Sequence, residues 1–276
     1  MARITSDAAE PHIALPGQEA FALSAVLWKL APATSIVGLF VLWEVLARTG
    51  VFNQYLLPPF SVVFQRVIVD LLNGNFFVNA AHTLYRALAG FSIAAALGIV
   101  IGVTMTRFRV VRWFFDPLVS VGFPMPKVAF LPVFMLWFGA YDASKITLIA
   151  FASFFAIAVN TIAGTQGVDR FLIWSARSLG CTPRKMLWSV ILPAALPQIL
   201  TGLQIAMPLA MIVTIVTEML MGGIGLGGEM IRAQRFADSV GVFSGIVQIG
   251  FTGFVVIFGL RWLRTHLLSW HEEAKH

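Results

Sequence analysis

Four ionisable side chains lie within or beside long apolar stretches of the chain: Glu44, Arg86, Lys127 and Glu218. A charge in apolar surroundings is unfavourable, so such residues usually face protein partners or a water-filled path. Arg86 stands at the start of one stretch and Glu218 at the end of another, which predicts an ion pair between them. A second hypothesis remains open, in which Arg86 or Lys127 attracts an anionic solute. The long stem of Lys127 also allows its ammonium group to reach the nearest water.

The sequence contains no pattern typical of a catalytic, metal-binding or nucleotide-binding centre. It has no P-loop, no H-E-x-x-H and no G-x-S-x-G, so we expect no enzyme and no ATP binding in this chain. The single cysteine, Cys181, cannot form an internal disulfide and is interpreted as a small apolar side chain. The glycine-rich run at 222–228 follows an apolar stretch rather than a strand, which predicts a turn or re-entrant backbone instead of a phosphate loop.

The composition places the chain in a membrane. Only 12% of its 276 residues are charged and 58% are apolar, whereas a soluble domain carries about 25% charged residues. There is too little polar surface to cover a globule, so lipid must cover the rest. The net charge of +6 is interpreted through its distribution, because basic residues set the orientation of membrane proteins. We therefore expect lipid, not nucleic acid, as a partner.

The apolar stretches predict an all-α integral membrane protein with six transmembrane helices. A membrane-spanning helix needs about 20 predominantly apolar residues. The six candidates are residues 30–47, 83–106, 117–138, 146–165, 199–221 and 240–260. This divides the chain into an N-terminal tail (1–29), a transmembrane domain (30–265) and a C-terminal tail (266–276).

Prolines are expected to interrupt two of the six predicted spans. Pro124, Pro126 and Pro132 are expected to break the third span, and Pro208 the fifth. Broken helices release backbone polar groups and often line transport paths, although a packing kink is an equally good reading. Between the first two spans, the segment Phe60–Leu72 has apolar residues at helical spacing on one face, which predicts an amphipathic helix lying on the membrane.

The distribution of lysine and arginine predicts the orientation. Most of these residues fall in the two tails, in the loop after the second span and in the loop after the fourth. Basic residues are retained in the cytoplasm. We therefore expect both termini, and the loop after the fourth span, to be cytoplasmic in a multi-pass protein of the bacterial inner membrane.

That loop, residues 166–198, is predicted to form two short helices joined by a bend. Asp169 can cap the first helix and Gly180 can end it in the left-handed conformation. Thr182 and Pro183 are typical of the start of a second helix, which Leu192-Pro193 is expected to stop. Its polar side carries four basic residues, Arg170, Arg177, Arg184 and Lys185. Such a surface suits either anionic lipid headgroups or a cytoplasmic protein partner.

The loop resembles the EAA loop of the permease subunits of ABC importers. Ser175-Ala176 stand at the two alanines of that pattern, Gly180 at its glycine, and Val190, Leu192 and Pro193 at its final I-x-L-P. Trp174 stands where a glutamate is expected. Residues 57–61, 131–139 and 217–227 are similar to the nitrate, sulfonate and taurine branch of that family. The resemblance extends over roughly Leu57–Arg264.

The resemblance implies a type I ABC importer permease fold that works as a homodimer. It also implies two ATPase subunits on the cytoplasmic side, which hold the ATP and magnesium, and an extracytoplasmic solute-binding protein; the chain itself needs no cofactor. The loop residues implied to contact the ATPase are Ser175, Ala176, Arg177, Gly180, Thr182, Pro183, Val190, Leu192 and Pro193.

The implied solute is a small anion such as a sulfonate, taurine or nitrate. A heterocycle such as a thiamine precursor is the alternative within the same class of permease. An ion-coupled secondary transporter is disfavoured, because such proteins usually contain internal repeats and the two halves of this chain show none.

Overall fold

The computed structural model describes residues 34–53 and 55–268, and all regular secondary structure in them is helical. The predicted N-terminal tail and most of the predicted C-terminal tail lie outside the described residues. The first predicted span is described only from residue 34, as helix α1 over residues 34–48.

The chain divides into two compact units, Met1–Ser61 and Val62–His276. In the first unit, the Glu44 carboxylate accepts hydrogen bonds from Nε of Arg48 at 2.6 Å and from the backbone N–H of Ser61 at 3.0 Å. The indole N–H of Trp43 donates to the carbonyl of Pro58 at 3.1 Å. Glu44 therefore has local partners at the end of α1.

The remaining helices follow in chain order. They are α2 (Phe60–Leu72), α3 (Asn75–Arg107), α4 (Arg109–Gly122), a short 3-10 turn (Lys127–Phe130), α5 (Leu131–Phe138), α6 (Asp142–Gln166), α7 (Arg170–Ser178), α8 (Pro183–Met186), a π turn (Leu187–Ile191), α9 (Leu192–Met221), α10 (Leu226–Arg235) and α11 (Ser239–Leu267).

Four helical segments among the described residues are long and apolar enough to cross a membrane: Asn75–Arg107, Asp142–Gln166, Pro183–Met221 and Ser239–Leu267. They confirm the second, fourth, fifth and sixth predicted spans. The third predicted span is not one straight helix, because Arg109–Gly122 and Lys127–Phe138 meet at 105°. Counting that bent pair as one span raises the number to five.

The predicted break in the third span is present, but two of the proline predictions are wrong. Helix α4 ends at Gly122, just before Pro124 and Pro126, which cannot donate backbone hydrogen bonds. Pro132, however, lies in the first turn of α5, where no donor is needed. Pro208 lies inside α9 without ending it. Membrane helices tolerate such prolines because neighbouring groups satisfy the freed carbonyls.

The prediction that Leu192-Pro193 ends a helix is also wrong. The backbone N–H of Leu192 donates to the carbonyl of Leu187, five residues earlier, in a π turn. Pro193 directly follows this π turn, and the helix continues through it into α9 instead of ending there. As a result, α8, the π turn and α9 form one continuous span, and the connection after α6 shortens to residues 167–182.

The predicted amphipathic helix is present with the expected bounds, Phe60–Leu72. Val63 is buried, and Leu71 packs against an apolar cluster formed by Phe76, Ala80 and Leu226. The position of this helix on the membrane surface stays a prediction.

Helix α3 packs closely on α6 along a row of glycines. A Cβ added at Gly98 would lie 2.9 Å from the Cβ of Ile157, and one added at Gly102 would lie 2.7 Å from the Cβ of Thr161. Small residues four apart allow membrane helices to approach at backbone distance. The main core cluster extends this packing to α9 through Ala206 and Ala210. Helices α3, α6 and α9 thus form the framework that positions the polar residues described below.

Candidate functional site

Arg86 and Glu218 lie in contact in the interior of the protein. Nη1 of Arg86 is 2.6 Å from Oε1 of Glu218, and the two side chains are 5% and 0% exposed. Arg86 lies well inside α3, which begins at Asn75, rather than at the opening of the span as the sequence suggested. Glu218 lies in the last turn of α9. The pair therefore joins two spans through a buried ionic contact.

The Glu218 carboxylate has further hydrogen bonds that satisfy its oxygens. The hydroxyl of Thr83 lies 2.9 Å and 3.1 Å from the two carboxylate oxygens, and the backbone N–H of Gly227 donates at 3.0 Å. The Thr83 hydroxyl in turn accepts from the backbone N–H of Leu226 at 2.9 Å. A buried carboxylate is tolerated only when it is paired and hydrogen-bonded in this way.

Two residues at the start of α6 complete the charge cluster. Nε of Arg86 donates to Oδ1 of Asp142 at 2.8 Å, and the ammonium group of Lys145 donates to the carbonyl of Gly222 at 2.9 Å. Lys145 is buried, whereas the Asp142 side chain is 44% exposed. The cluster of Arg86, Lys145, Asp142 and Glu218 balances two positive with two negative charges.

The predicted turn at the glycine run is confirmed, and it wraps around Glu218. Gly222, Gly223 and Gly225 have positive φ angles of 69°, 96° and 145°. A Cβ at Gly225 would overlap the Glu218 carboxylate. Only glycine permits both the backbone conformation and the close approach. The backbone N–H groups here have partners in the same chain: that of Gly227 donates to Glu218, that of Leu226 to the hydroxyl of Thr83, and that of Gly225 to Oδ1 of Asn79.

The geometry favours the ion pair over solute binding as the role of Arg86. Its Nε and Nη1 atoms already donate to Asp142, to Glu218 and to the carbonyl of Ile224, the last at 2.6 Å. The sequence reasoning missed Thr83, Asp142 and Lys145. The sequence feature that could have identified Asp142 and Lys145 was their position one turn apart at the beginning of an apolar stretch.

Lys127 is not part of this cluster. Its ammonium group donates to the carbonyl of Phe123 and lies 5.6 Å from the ring centroids of both Phe123 and Phe155. These contacts are typical of a cation held by aromatic faces. Lys127 therefore stabilises the bend between α4 and α5.

The second candidate site is the connection between α6 and the Pro183–Met221 span. The predicted caps are present. Oδ1 of Asp169 accepts from the backbone N–H of Phe171 at 2.8 Å, and Oγ1 of Thr182 accepts from that of Lys185 at 3.4 Å. Gly180 has a φ of 74°, and the backbone N–H of Cys181 donates to the carbonyl of Ala176 at 3.0 Å. The connection is therefore a defined helix–bend–helix unit.

One face of α7 packs on the protein and the other is exposed. Val168, just before the helix, and Ile173 contact the apolar cluster around Ala195 and Ile199. On the outer face, Phe171 and Trp174 form an edge-to-face ring pair with centroids 5.6 Å apart. Five of the nine loop residues singled out from the sequence lie in the connection: Ala176 is half-buried, and Ser175, Arg177, Gly180 and Thr182 are exposed. The other four lie in the span that follows: Val190 and Leu192 are half-buried, and Pro183 and Pro193 are exposed.

Comparison with known proteins is consistent with this architecture. A solved structure described as an amino acid ABC transporter superposes with a TM-score of 0.56 at 21% sequence identity, covering 72% of this chain and 95% of that chain. At this identity the likeness concerns the fold alone.

Three curated relatives are similar over most of their length. The taurine transport system permease protein TauC of Escherichia coli is 32% identical, covering 86% of this chain and 88% of the relative. The putative aliphatic sulfonates transport permease protein SsuC of Bacillus subtilis is 34% identical, covering 88% and 87%. The formylaminopyrimidine transport permease protein ThiX of Halalkalibacterium halodurans is 32% identical, covering 88% and 97%.

A family model for the inner membrane component of binding-protein-dependent transport systems matches residues 94–270. That match covers more than half of the chain and includes both the α6–α8 connection and most of the helices that hold the charge cluster. The chain therefore belongs to the family of inner membrane components of binding-protein-dependent transport systems.

Proposed function

We propose that this permease forms the path for a small sulfonate-type anion, and that residues 167–182 dock on an ATPase subunit and transmit its movement. The observation that carries the coupling role is the capped helix–bend–helix connection with an exposed aromatic and basic face. The substrate class rests on the similarity to the taurine and aliphatic sulfonate permeases.

The class of protein follows from the family. The chain is the permease subunit of an ABC transporter and a multi-pass protein of the inner membrane. It is not itself catalytic and carries no cofactor, since ATP binds to the partner ATPase. Members of this family work with ATPase subunits and with binding proteins.

The continuity of one helical span suits the proposed transmission. The helix that follows the connection begins at Pro183 and runs through the π turn into α9, which ends at Met221 beside the charge cluster. A displacement at the connection therefore acts on a continuous helix whose opposite end carries Glu218. Short capped helices transmit such a force better than irregular chain does.

The proposed assembly follows the distribution of charge and the family pattern. It has six spans, with both termini and residues 167–182 on the cytoplasmic side, where basic residues are retained. Two copies of the chain surround the path, with two ATPase subunits below and an extracytoplasmic binding protein above.

Replacing Gly180 by valine is expected to reduce ATP-driven uptake about tenfold. The positive φ of 74° disfavours a branched side chain by about 1–2 kcal/mol, so the bend shifts away from its docking geometry. Nothing lies within 4 Å of a Cβ at this position, so the effect is one of backbone conformation rather than overlap. The measurements are co-purification of the ATPase subunit and uptake by proteoliposomes.

Two variants make this experiment specific. Gly180→Asn is expected to retain activity, because asparagine tolerates the left-handed region. Gly259→Val is the matched control, since that glycine also has open space but no positive φ. The docking role would be refuted if the Gly180→Val variant co-purified with the ATPase subunit and took up solute as well as the wild type does.

The substrate proposal is tested with the complete transporter, including its own binding protein. We expect uptake of labelled taurine or an alkanesulfonate to exceed that of a formylaminopyrimidine by at least tenfold. The heterocycle is the second candidate because the similarity to ThiX equals the similarity to TauC in sequence identity. The reverse preference would replace the sulfonate assignment while leaving the permease class intact.

A further inference from the structure

A cavity of about 850 Å³ opens where α3 ends and α4 begins. It has two kinds of lining. One part is cationic and carries Arg107, Arg109 and Arg112. The other is apolar and carries the exposed side chains of Trp113 and Phe114. A ligand that fills such a cavity must combine a negative group with an apolar portion.

The cationic part has an excess of positive charge. None of the three arginines forms an ion pair within the described portion of the chain. Among residues 34–53 and 55–268, Asp116 is the one carboxylate that lines the cavity, so three positive charges face one negative charge there. Guanidinium groups bind phosphate oxygens in a planar, bidentate geometry. The charge and its chemistry therefore favour a phosphate-bearing anion.

The length of α3 places this cavity at the level of the lipid headgroups. The helix has 33 residues, and a rise of 1.5 Å per residue makes it about 50 Å long. The hydrocarbon core is only about 30 Å thick. The uncharged run of α3, residues 87–106, has the length that crosses it, so Arg107 lies at its edge. Trp113 is 79% exposed, and tryptophan is enriched at this boundary.

We propose that the cavity binds the headgroup of an anionic phospholipid. Its phosphate lies against the guanidinium groups of Arg107, Arg109 and Arg112, and its acyl chain extends along the exposed rings of Trp113 and Phe114. A small soluble anion would leave the apolar part uncovered. Basic pockets between membrane helices are known to bind anionic headgroups.

A bound lipid would have a structural consequence for α4. This helix leads directly into the 105° bend, and only Val119 and Gly122 of its residues are buried. Contacts with the lipid therefore supply part of the packing that the chain itself does not provide. The proposal does not depend on which solute the permease carries.

The test is native mass spectrometry of the whole transporter with equal amounts of phosphatidylglycerol and phosphatidylcholine of identical acyl chains. The wild type is expected to retain phosphatidylglycerol preferentially, and Arg112→Gln is expected to reduce that preference about fivefold. Arg261→Gln, which removes an exposed arginine at the end of α11, is the matched control. Unchanged ATPase co-purification verifies that both variants fold.

A second readout locates the acyl chain. Brominated phosphatidylglycerol should quench tryptophan fluorescence more than its phosphatidylcholine counterpart, and Trp113→Phe should remove that excess. The proposal is overturned by equal losses in Arg112→Gln and Arg261→Gln, by a wild type without lipid preference, or by excess quenching that survives in Trp113→Phe. Cross-linking of two copies through Trp113→Cys, in a Cys181→Ser background, would also overturn it by placing a second subunit over the cavity.

Discussion

Replacing Arg86 by methionine is expected to destabilise the protein by about 3–5 kcal/mol, which corresponds to a fall of roughly 10 °C in apparent unfolding temperature. The substitution leaves Glu218, a fully buried carboxylate, without its counter-charge. Thr83 and Gly227 still donate to it, but neutral donors do not replace the lost cation. The measurement is the temperature at which half of the detergent-purified protein leaves the monodisperse peak in size-exclusion chromatography.

The double variant Arg86→Met with Glu218→Met distinguishes a lost ion pair from lost packing. It removes both charges together, so we expect most of the stability to return. Asp142→Asn is the control within the cluster; its side chain is partly exposed, and the expected effect is below about 1 kcal/mol. An Arg86→Met protein as stable as Asp142→Asn would contradict the role assigned to the pair.

The structure also shows why exchanging the two charges would be a poor test. An arginine at position 218 has no oxygen to accept from the hydroxyl of Thr83 or the N–H of Gly227. A failed rescue in the Arg86→Glu and Glu218→Arg double variant would therefore reflect lost acceptors rather than the absence of an ion pair.

Replacing Trp174 by alanine is expected to weaken binding of the ATPase subunit at least thirtyfold. Trp174 is 55% exposed and its ring contacts that of Phe171 edge to face. Exposed aromatic side chains on a docking surface commonly contribute 2 kcal/mol or more to binding. The measurement is the affinity of the purified ATPase for the permease in nanodiscs, together with ATP-driven uptake.

Two comparisons make the Trp174 prediction specific. Trp262→Ala removes another exposed tryptophan, on α11, and should leave binding unchanged. Trp174→Glu restores the residue expected from the EAA pattern and should bind as poorly as Trp174→Ala, because a groove shaped for an indole does not hold a carboxylate. Full binding by Trp174→Glu would show that the aromatic ring is not the anchor.

Several features followed from local chemistry and were predictable from the chain alone. Four spans were recognisable because a long apolar run has no stable place outside lipid or a core. The caps at Asp169 and Thr182 and the left-handed Gly180 were predictable because each depends on residues within one turn. Helix Phe60–Leu72 followed from its spacing of apolar residues.

The errors arose where neighbouring turns or distant elements decide the outcome. Pro193 was expected to end a helix, but a π turn shifts the hydrogen bonds just before it and the helix continues into α9. Pro208 was expected to break α9, but the helix continues through it. The angle of 105° between α4 and α5 was not readable from Pro124 and Pro126, which indicate a break but not its direction.

The sequence by itself determined that this chain is an all-helical membrane permease, because hydropathy, capping and motif order act over short distances. Only the tertiary structure decided how its charged residues are used. Arg86 and Glu218 were a plausible pair, but Thr83, Asp142 and Lys145 joined them through contacts between helices far apart in the chain. The partners of the buried charges lie on α3, α6 and α9, which are far apart in the chain but in contact in the fold. No local sequence pattern identifies such contacts.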